Sequence, residues 1–212
     1  MESNLDERLL RIVRTRGHGD RRVERAVAGF SRLGEHGGVW LAVGALGYAL
    51  DRPRATRWRD AVGVVAGTYA LNTALKLAVR RRRPELPGLP ALTGTPTQLS
   101  FPSAHASTSF AAAGLYTRLG LPAPALYSLA LGLSLSRLYL GVHYPSDILA
   151  GAALGTAVAR CAAVAERAPC AADGSHPLHG AHPLDGPRAT EMSHPMKETH
   201  PTKGSSSAEN RA

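Results

Sequence analysis

Three short blocks of the chain carry residue types that together can handle a phosphoryl group. They are Lys76 with Arg83-Pro84, then Pro102-Ser103-Ala104-His105, then Ser136-Arg137 followed by His143 and Asp147. Lys76, Arg83 and Arg137 are cations able to grip a dianionic phosphate, and the planar guanidinium fork matches its oxygens. Ser103 stands at a predicted helix start, where the open amides of Ala104 and His105 would cradle an anion at the positive end of the helix dipole. Of two imidazoles, His105 and His143, one can attack phosphorus while the other protonates the departing oxygen. Asp147 follows His143 by four residues. It can accept a proton from one ring nitrogen and leave the other free to attack.

Each block alone has a plainer explanation. Arg80 to Arg83 reads as an interfacial anchor after an apolar helix, Ser103 as a helix cap, and Asp147 as a cap beside an interfacial His143. Lys76 argues against the plain account, because an ammonium inside an apolar window is costly unless paired or facing a ligand. Lys76 and Arg83 are seven residues apart, two helical turns, so both are expected on one face of one helix.

In order and spacing the set resembles the signature of the type 2 phosphatidic acid phosphatase superfamily, which also includes bacterial acid phosphatases and vanadium haloperoxidases. That pattern is Lys, six residues, Arg-Pro; then Pro-Ser-Gly-His; then Ser-Arg, five residues, His, three residues, Asp. Lys76 to Pro84 and Ser136 to Asp147 fit it, and the middle block departs once, with Ala104 in place of glycine. Glycine lets a backbone amide approach a ligand closely; one added methyl is expected to alter packing and leave the chemistry intact. The motifs span residues 76–147, and the flanking apolar helices extend the likeness to 35–167.

The resemblance implies hydrolysis of a phosphomonoester or diphosphate with no metal and no cofactor, through a phosphohistidine. In it His143 is the nucleophile and Asp147 orients it. His105 protonates the leaving oxygen and then activates water, while Lys76, Arg83, Ser103, the Ala104 amide and Arg137 hold the equatorial oxygens. Among the family's branches, the chain is most similar to small actinobacterial phosphatases of polyprenyl-linked sugars, such as those acting on decaprenylphosphoryl-5-phosphoribose in cell-wall precursor synthesis. Undecaprenyl diphosphate and phosphatidic acid or phosphatidylglycerol phosphate are the alternative substrates. From other classes, a vanadate-dependent haloperoxidase and a non-catalytic lipid-binding protein compete.

These residues need a scaffold, and the apolar pattern supplies one. Residues 1–34 and 168–212 are polar, whereas apolar windows recur at 37–50, 60–79, 104–117, 121–142 and 148–165. A helix crossing a bilayer needs about 20 mostly apolar residues; windows 60–79 and 121–142 reach that directly. Small residues such as Gly44, Gly47, Gly63, Gly67, Gly132, Gly151 and Gly155 suit close helix contacts. The expected fold is all-α, an integral multi-pass membrane helical bundle of about five spanning helices plus an N-terminal amphipathic helix. Residues 1–34 form the basic segment, 35–167 the membrane phosphatase domain, and 168–212 a disordered tail with recurring His-Pro pairs.

In the basic segment Leu5, Leu9, Ile12 and Val13, then Val23, Val27 and Phe30, recur at helical spacing. Such a segment suits the headgroup layer or a position packed on the bundle. The second apolar helix is expected to run into Arg80–Arg83 and stop at Pro84, ahead of a Pro/Gly-rich loop over 84–102 placed like a lid. No span separates the first two blocks, and windows 104–117 and 121–142 return the chain to the same face before His143.

The net charge of +9 suits anionic lipid headgroups as partners. Without aromatic interleaving or a nucleic-acid module, no nucleic acid is expected to bind. The positive-inside rule leans toward a cytoplasmic site, but four of the arginines on that side belong to or adjoin the catalytic block, so the face stays open, and no motif speaks to oligomeric state. Cys161 and Cys170 form no framework, and Cys161 is expected in the core. The first thirty residues lack a secretion-type apolar core, so insertion would depend on the internal helices.

Overall fold

A computed structural model describes residues 5–16 and 19–167; the His/Pro-rich tail and Cys170 lie outside the described residues. All regular structure among them is helical apart from two isolated bridges, Arg82 with Leu99 and Leu86 with Leu89. The helices are α1 (Leu5–Arg16), α2 (Arg21–Arg32), α3 (Gly38–Leu50), α4 (Ala55–Val79), α5 (Ala104–Arg118), α6 (Ala123–Tyr139) and α7 (Pro145–Ala165). Local chemistry sets several of these boundaries. Asp20 caps α2 by accepting a bond from the Arg22 amide at 2.7 Å. Pro145 opens α7, where Asp147 and Tyr144 form a reciprocal capping box.

α5 is the central helix. It packs chiefly on α7, then on α6 and α4, and is buried on nearly all sides, including Ser107, Thr108 and Ser109. Trp40 on α3 donates to Ser109 Oγ at 2.8 Å and takes a 2.8 Å bond on its carbonyl from Tyr116, which satisfies polar groups inside an apolar bundle. Gly151 and Gly155 let α7 lie against α5: a methyl at either position would collide with the backbone around Ser103 or Ser107. Close backbone approach through small residues is the usual source of helix association where the surroundings are themselves apolar.

Among the described residues, two helical segments are long and apolar enough to cross a membrane: Arg52–Val79 (28 residues, mean hydropathy 1.4) and Pro145–Ala165 (21 residues, 1.7). α3, α5 and α6 are shorter, at 13, 15 and 17 residues. Large apolar side chains on several bundle helices point outward, among them Leu46, Leu50, Leu71, Leu77, Leu131 and Leu149.

Three local expectations need correction. α4 ends at Val79 rather than Pro84, because Arg80 takes a left-handed conformation at φ 55° and turns the chain. Arg83 therefore does not share a helix face with Lys76; it sits in the following loop, its amide bonded to Gln98 O at 3.1 Å. The α1 stripe of Leu5, Leu9, Ile12 and Val13 faces outward, while Asp6, Leu10 and Arg14, also one helical stripe, face the bundle. Backbone groups at the end of α6, in the long loop and at the start of α7 explain this: Tyr139 O takes a 3.0 Å bond from Arg14, Pro90 O takes another, and Ser146 N donates to Asp6 at 3.1 Å. Cys161 is exposed on α7 rather than in the core.

Candidate active site

The site forms where the N-terminus of α5, the C-terminal end of α6 and the short loop before α7 converge beside the last turn of α4. Six of the predicted residues, Lys76, Arg83, Ala104, His105, Arg137 and His143, line one cavity of about 110 Å³. Glu35, His36, Tyr69 and Thr73, with Pro96 and Thr97 from the long loop, complete its wall. Ser103 and Asp147 are buried outside this lining and are bonded together, Ser103 N donating to Asp147 O at 3.0 Å. A wider cleft of about 670 Å³ along the 83–98 loop shares only Arg83 with the site and contains neither histidine.

His143 is 2 % exposed and lies between a cation and a carboxylate. Its Nδ1 is 3.4 Å from Asp147 Oδ2, and its Nε2 is 3.3 Å from Arg83 Nη1. A carboxylate accepts and a guanidinium donates, so the proton belongs on Nδ1 and the lone pair on Nε2. Burial pushes the imidazole well below its ordinary value of 6.5, and the Arg83, Lys76 and Arg137 charges push the same way. The ring is therefore neutral at physiological pH. Arg83 is itself lowered to about 10 by burial, against the pull of Asp147, and stays charged.

Other bonds hold the cations in place. Arg83 donates to Val142 O at 2.7 Å and Thr97 O at 2.8 Å. Lys76 Nζ reaches Ser100 O at 3.1 Å and Leu99 O at 3.4 Å, so its ammonium rests on backbone carbonyls inside the bundle. Arg137 Nη1 donates to Ser31 Oγ at 2.7 Å, while its buried Nε has no partner among the described residues. Ser103 does occupy the N-cap of α5, yet its side chain makes no capping bond and its buried Oγ is also without a partner among the described residues. Those two groups have hydrogen-bonding capacity that the fold does not use.

Three contributors escaped the motif reading. Arg81 forms a 2.9 Å ion pair with Asp147 Oδ1 and a 2.8 Å pair with Asp6 Oδ2, and its guanidinium lies 4.0 Å from the Tyr144 ring centre. Inside a run of four arginines nothing in spacing distinguishes it. Asp6 left a faint trace, as the acidic member of the 6/10/14 stripe on a basic helix. Ser31, which contacts both Arg137 and His105, left none.

The PAP2 superfamily model matches residues 57–168, more than half of the chain. Decaprenylphosphoryl-5-phosphoribose phosphatase of Mycobacterium tuberculosis is 46 % identical over 132 residues, covering 61 % of this chain and 73 % of the relative. The protein of that name from Mycolicibacterium smegmatis is 47 % identical over 125 residues, covering 57 % and 67 %. Among solved structures, Aquifex aeolicus LpxE superposes with a TM-score of 0.65 at 21 % identity, covering 77 % of this chain and 97 % of its own. The transmembrane PAP2-type phosphatidylglycerolphosphate phosphatase of Bacillus subtilis gives 0.64 at 21 %, covering 76 % and 84 %. With both histidines, three cations and the α5 N-terminus around one cavity, and a family match running through them, the chain belongs to the PAP2 superfamily.

Proposed function

We propose that this protein is a membrane-embedded phosphatase of lipid-linked phosphates, that its five bundle helices cross the bilayer, and that its substrate is a polyprenyl-linked sugar phosphate, decaprenylphosphoryl-5-phosphoribose. The observation that carries the catalytic part is the single cavity lined by His105, His143, Lys76, Arg83 and Arg137. The relatives' name supports the choice of substrate. The outward-facing leucines and the two long apolar helices support the membrane setting.

The phosphoryl group sits against Lys76, Arg83, Arg137 and the α5 N-terminus, with Ser103 Oγ and Arg137 Nε turned to its oxygens. His143 Nε2 attacks phosphorus in line, and Asp147 takes the growing positive charge at Nδ1–H. Arg83 moves its donor from the Nε2 lone pair to an equatorial oxygen as that lone pair forms the N–P bond. His105 gives a proton to the leaving oxygen, then removes one from the water that cleaves the phosphohistidine. Charge spreads over the equatorial oxygens in both steps, and preorganised donors in a water-poor site stabilise it there.

The test is phosphate release by the purified full chain in detergent from decaprenylphosphoryl-5-phosphoribose, undecaprenyl diphosphate, phosphatidic acid and phosphatidylglycerol phosphate, with His143→Ala alongside. Turnover highest on the sugar phosphate, and abolished in His143→Ala at equal folded protein, is expected. Preference for another lipid would overturn the substrate assignment; undiminished turnover by His143→Ala would overturn the mechanism.

A further inference from the structure

The family match begins at residue 57, yet a side chain and a carbonyl from α2 reach into the site. Ser31, 1 % exposed near the C-terminal end of that helix, makes two separate bonds to it. Its carbonyl is 3.0 Å from His105 Nε2, and its hydroxyl accepts from Arg137 Nη1 at 2.7 Å. Three residues on, Gly34 is buried against the same imidazole: a methyl there would lie 2.6 Å from His105 Cδ2. The ring thus has a bond on one nitrogen and a backbone wall that tolerates no side chain.

The bond has a chemical consequence. A backbone carbonyl only accepts, so His105 Nε2 must carry a hydrogen in every protonation state that keeps this contact. Nε2 is then committed, and Nδ1 is the one ring nitrogen able to exchange a proton with a ligand. Ser31 O also accepts from Gly34 N at 3.1 Å, which closes the turn, and the carbonyl end of a helix is the negative pole of its dipole. The C-terminal end of α2 therefore faces the ring that must be positively charged when it acts as an acid.

We propose that the Ser31–Gly34 turn of α2 is a positioning element of the active site. It locks the His105 tautomer so that protons pass only through Nδ1, while the Ser31 hydroxyl aims the Arg137 guanidinium. This rests on the phosphatase mechanism above. In the first step the Nδ1–H bond breaks as the P–O bond to the leaving group breaks, and the departing oxygen becomes a hydroxyl while His143 becomes bonded to phosphorus. His105 is left as the neutral Nε2–H form. In the second step its Nδ1 lone pair takes a proton from water, the water oxygen bonds to phosphorus, and the bond to His143 breaks. One nitrogen thus serves both steps with no tautomer change between them.

Leaving-group dependence is the test, because only a poor leaving group needs the acid. In Gly34→Ala the methyl displaces His105. Against matched detergent-soluble phosphate monoesters, kcat should fall at least about 10²-fold for an alkyl leaving group, and by under about 5-fold for p-nitrophenol. Equal losses on both esters would overturn the proposal, as the mark of general damage. Ser31→Ala keeps the carbonyl and loses the hydroxyl; it should lower kcat/KM by about 10-fold for both esters alike, without the leaving-group dependence of Gly34→Ala. An unchanged kcat/KM would remove the Arg137 half of the idea. Nitrogen NMR of wild-type protein labelled in histidine needs no variant to fold: a neutral His105 seen as the Nδ1–H tautomer overturns the proposal, and the Nε2–H form supports it. If wild type releases no phosphate from any ester, the phosphatase mechanism fails, and the NMR result still decides the tautomer.

Discussion

Arg83 Nη1 lies 3.3 Å from Nε2 of His143, on the far side of the ring from Asp147, so the strongest local donor rests on the atom assigned as nucleophile. The contact orients the lone pair and must be released when phosphate arrives. Arg83→Lys retains charge but cannot keep the bonds to Val142 O and Thr97 O while also reaching the ring. It should lower kcat/KM by roughly 10²- to 10³-fold, the usual cost of one transition-state donor. Steady-state kinetics on folded, monodisperse protein will check this.

The low proton affinity of His143 predicts where activity fails in acid. Burial and then the Arg83 charge keep the ring neutral to well below pH 6.5, so the acid limb of kcat/KM should not fall at the ordinary imidazole value. In Arg83→Gln the pKa of His143 should rise, moving that limb upward in pH. A pH–rate profile of both proteins reads the shift directly.

The same group makes a stability prediction. Below about pH 6.5 an unfolded His143 takes up a proton that the folded ring refuses, so the unfolded state binds more protons and stability falls with acid. The loss begins near the unfolded value and continues down to the lower folded one. His143→Gln should flatten the decline of Tm between pH 7.5 and 5, measured by thermal unfolding in detergent. An identical slope in both proteins would reject this placement of the charge.

Asp147, the proposed orienting group of His143, has three partners: Oδ2 accepts from Tyr144 N at 2.8 Å and faces His143, and Oδ1 pairs with Arg81. Asp147→Asn keeps the shape but no longer fixes the tautomer, so kcat should drop by roughly 10²- to 10⁴-fold. Asp6→Asn removes only the outer carboxylate on Arg81 and should cost far less, about 10-fold or under in kcat. Equal losses in the two variants would contradict this ordering.

Helix packing gives a control away from the chemistry. A side chain at Gly155 would strike the backbone of α5 near Ser107, while Gly63 and Gly67 on α4 have open space where a Cβ would go. Gly155→Leu should destabilise by at least about 1–3 kcal/mol and take activity with it, since α5 carries Ser103, Ala104 and His105 at its start. Gly63→Leu and Gly67→Leu should fold and turn over like wild type. Thermal unfolding with phosphate release will separate these outcomes.

Much of the chemistry was legible before folding. Lys76, Arg83, His105, Arg137, His143 and Asp147 announce themselves by type and spacing, because the proposed phosphohistidine route uses cations, two imidazoles and a carboxylate. The five apolar windows announce five helices for the same reason, since helical periodicity and apolar length are local properties. Contacts across 74 and 106 residues of chain, such as Ser31 to His105 and Ser31 to Arg137, belong to packing and leave no local pattern. Nor does spacing show that Arg80 would turn the chain out of α4 and carry Arg83 into a loop, or which of four adjacent arginines would meet Asp147. The amino-acid order names the candidate groups; only the packed bundle decides which nitrogen of each ring is held by the protein, because that depends on partners brought together from distant parts of the chain.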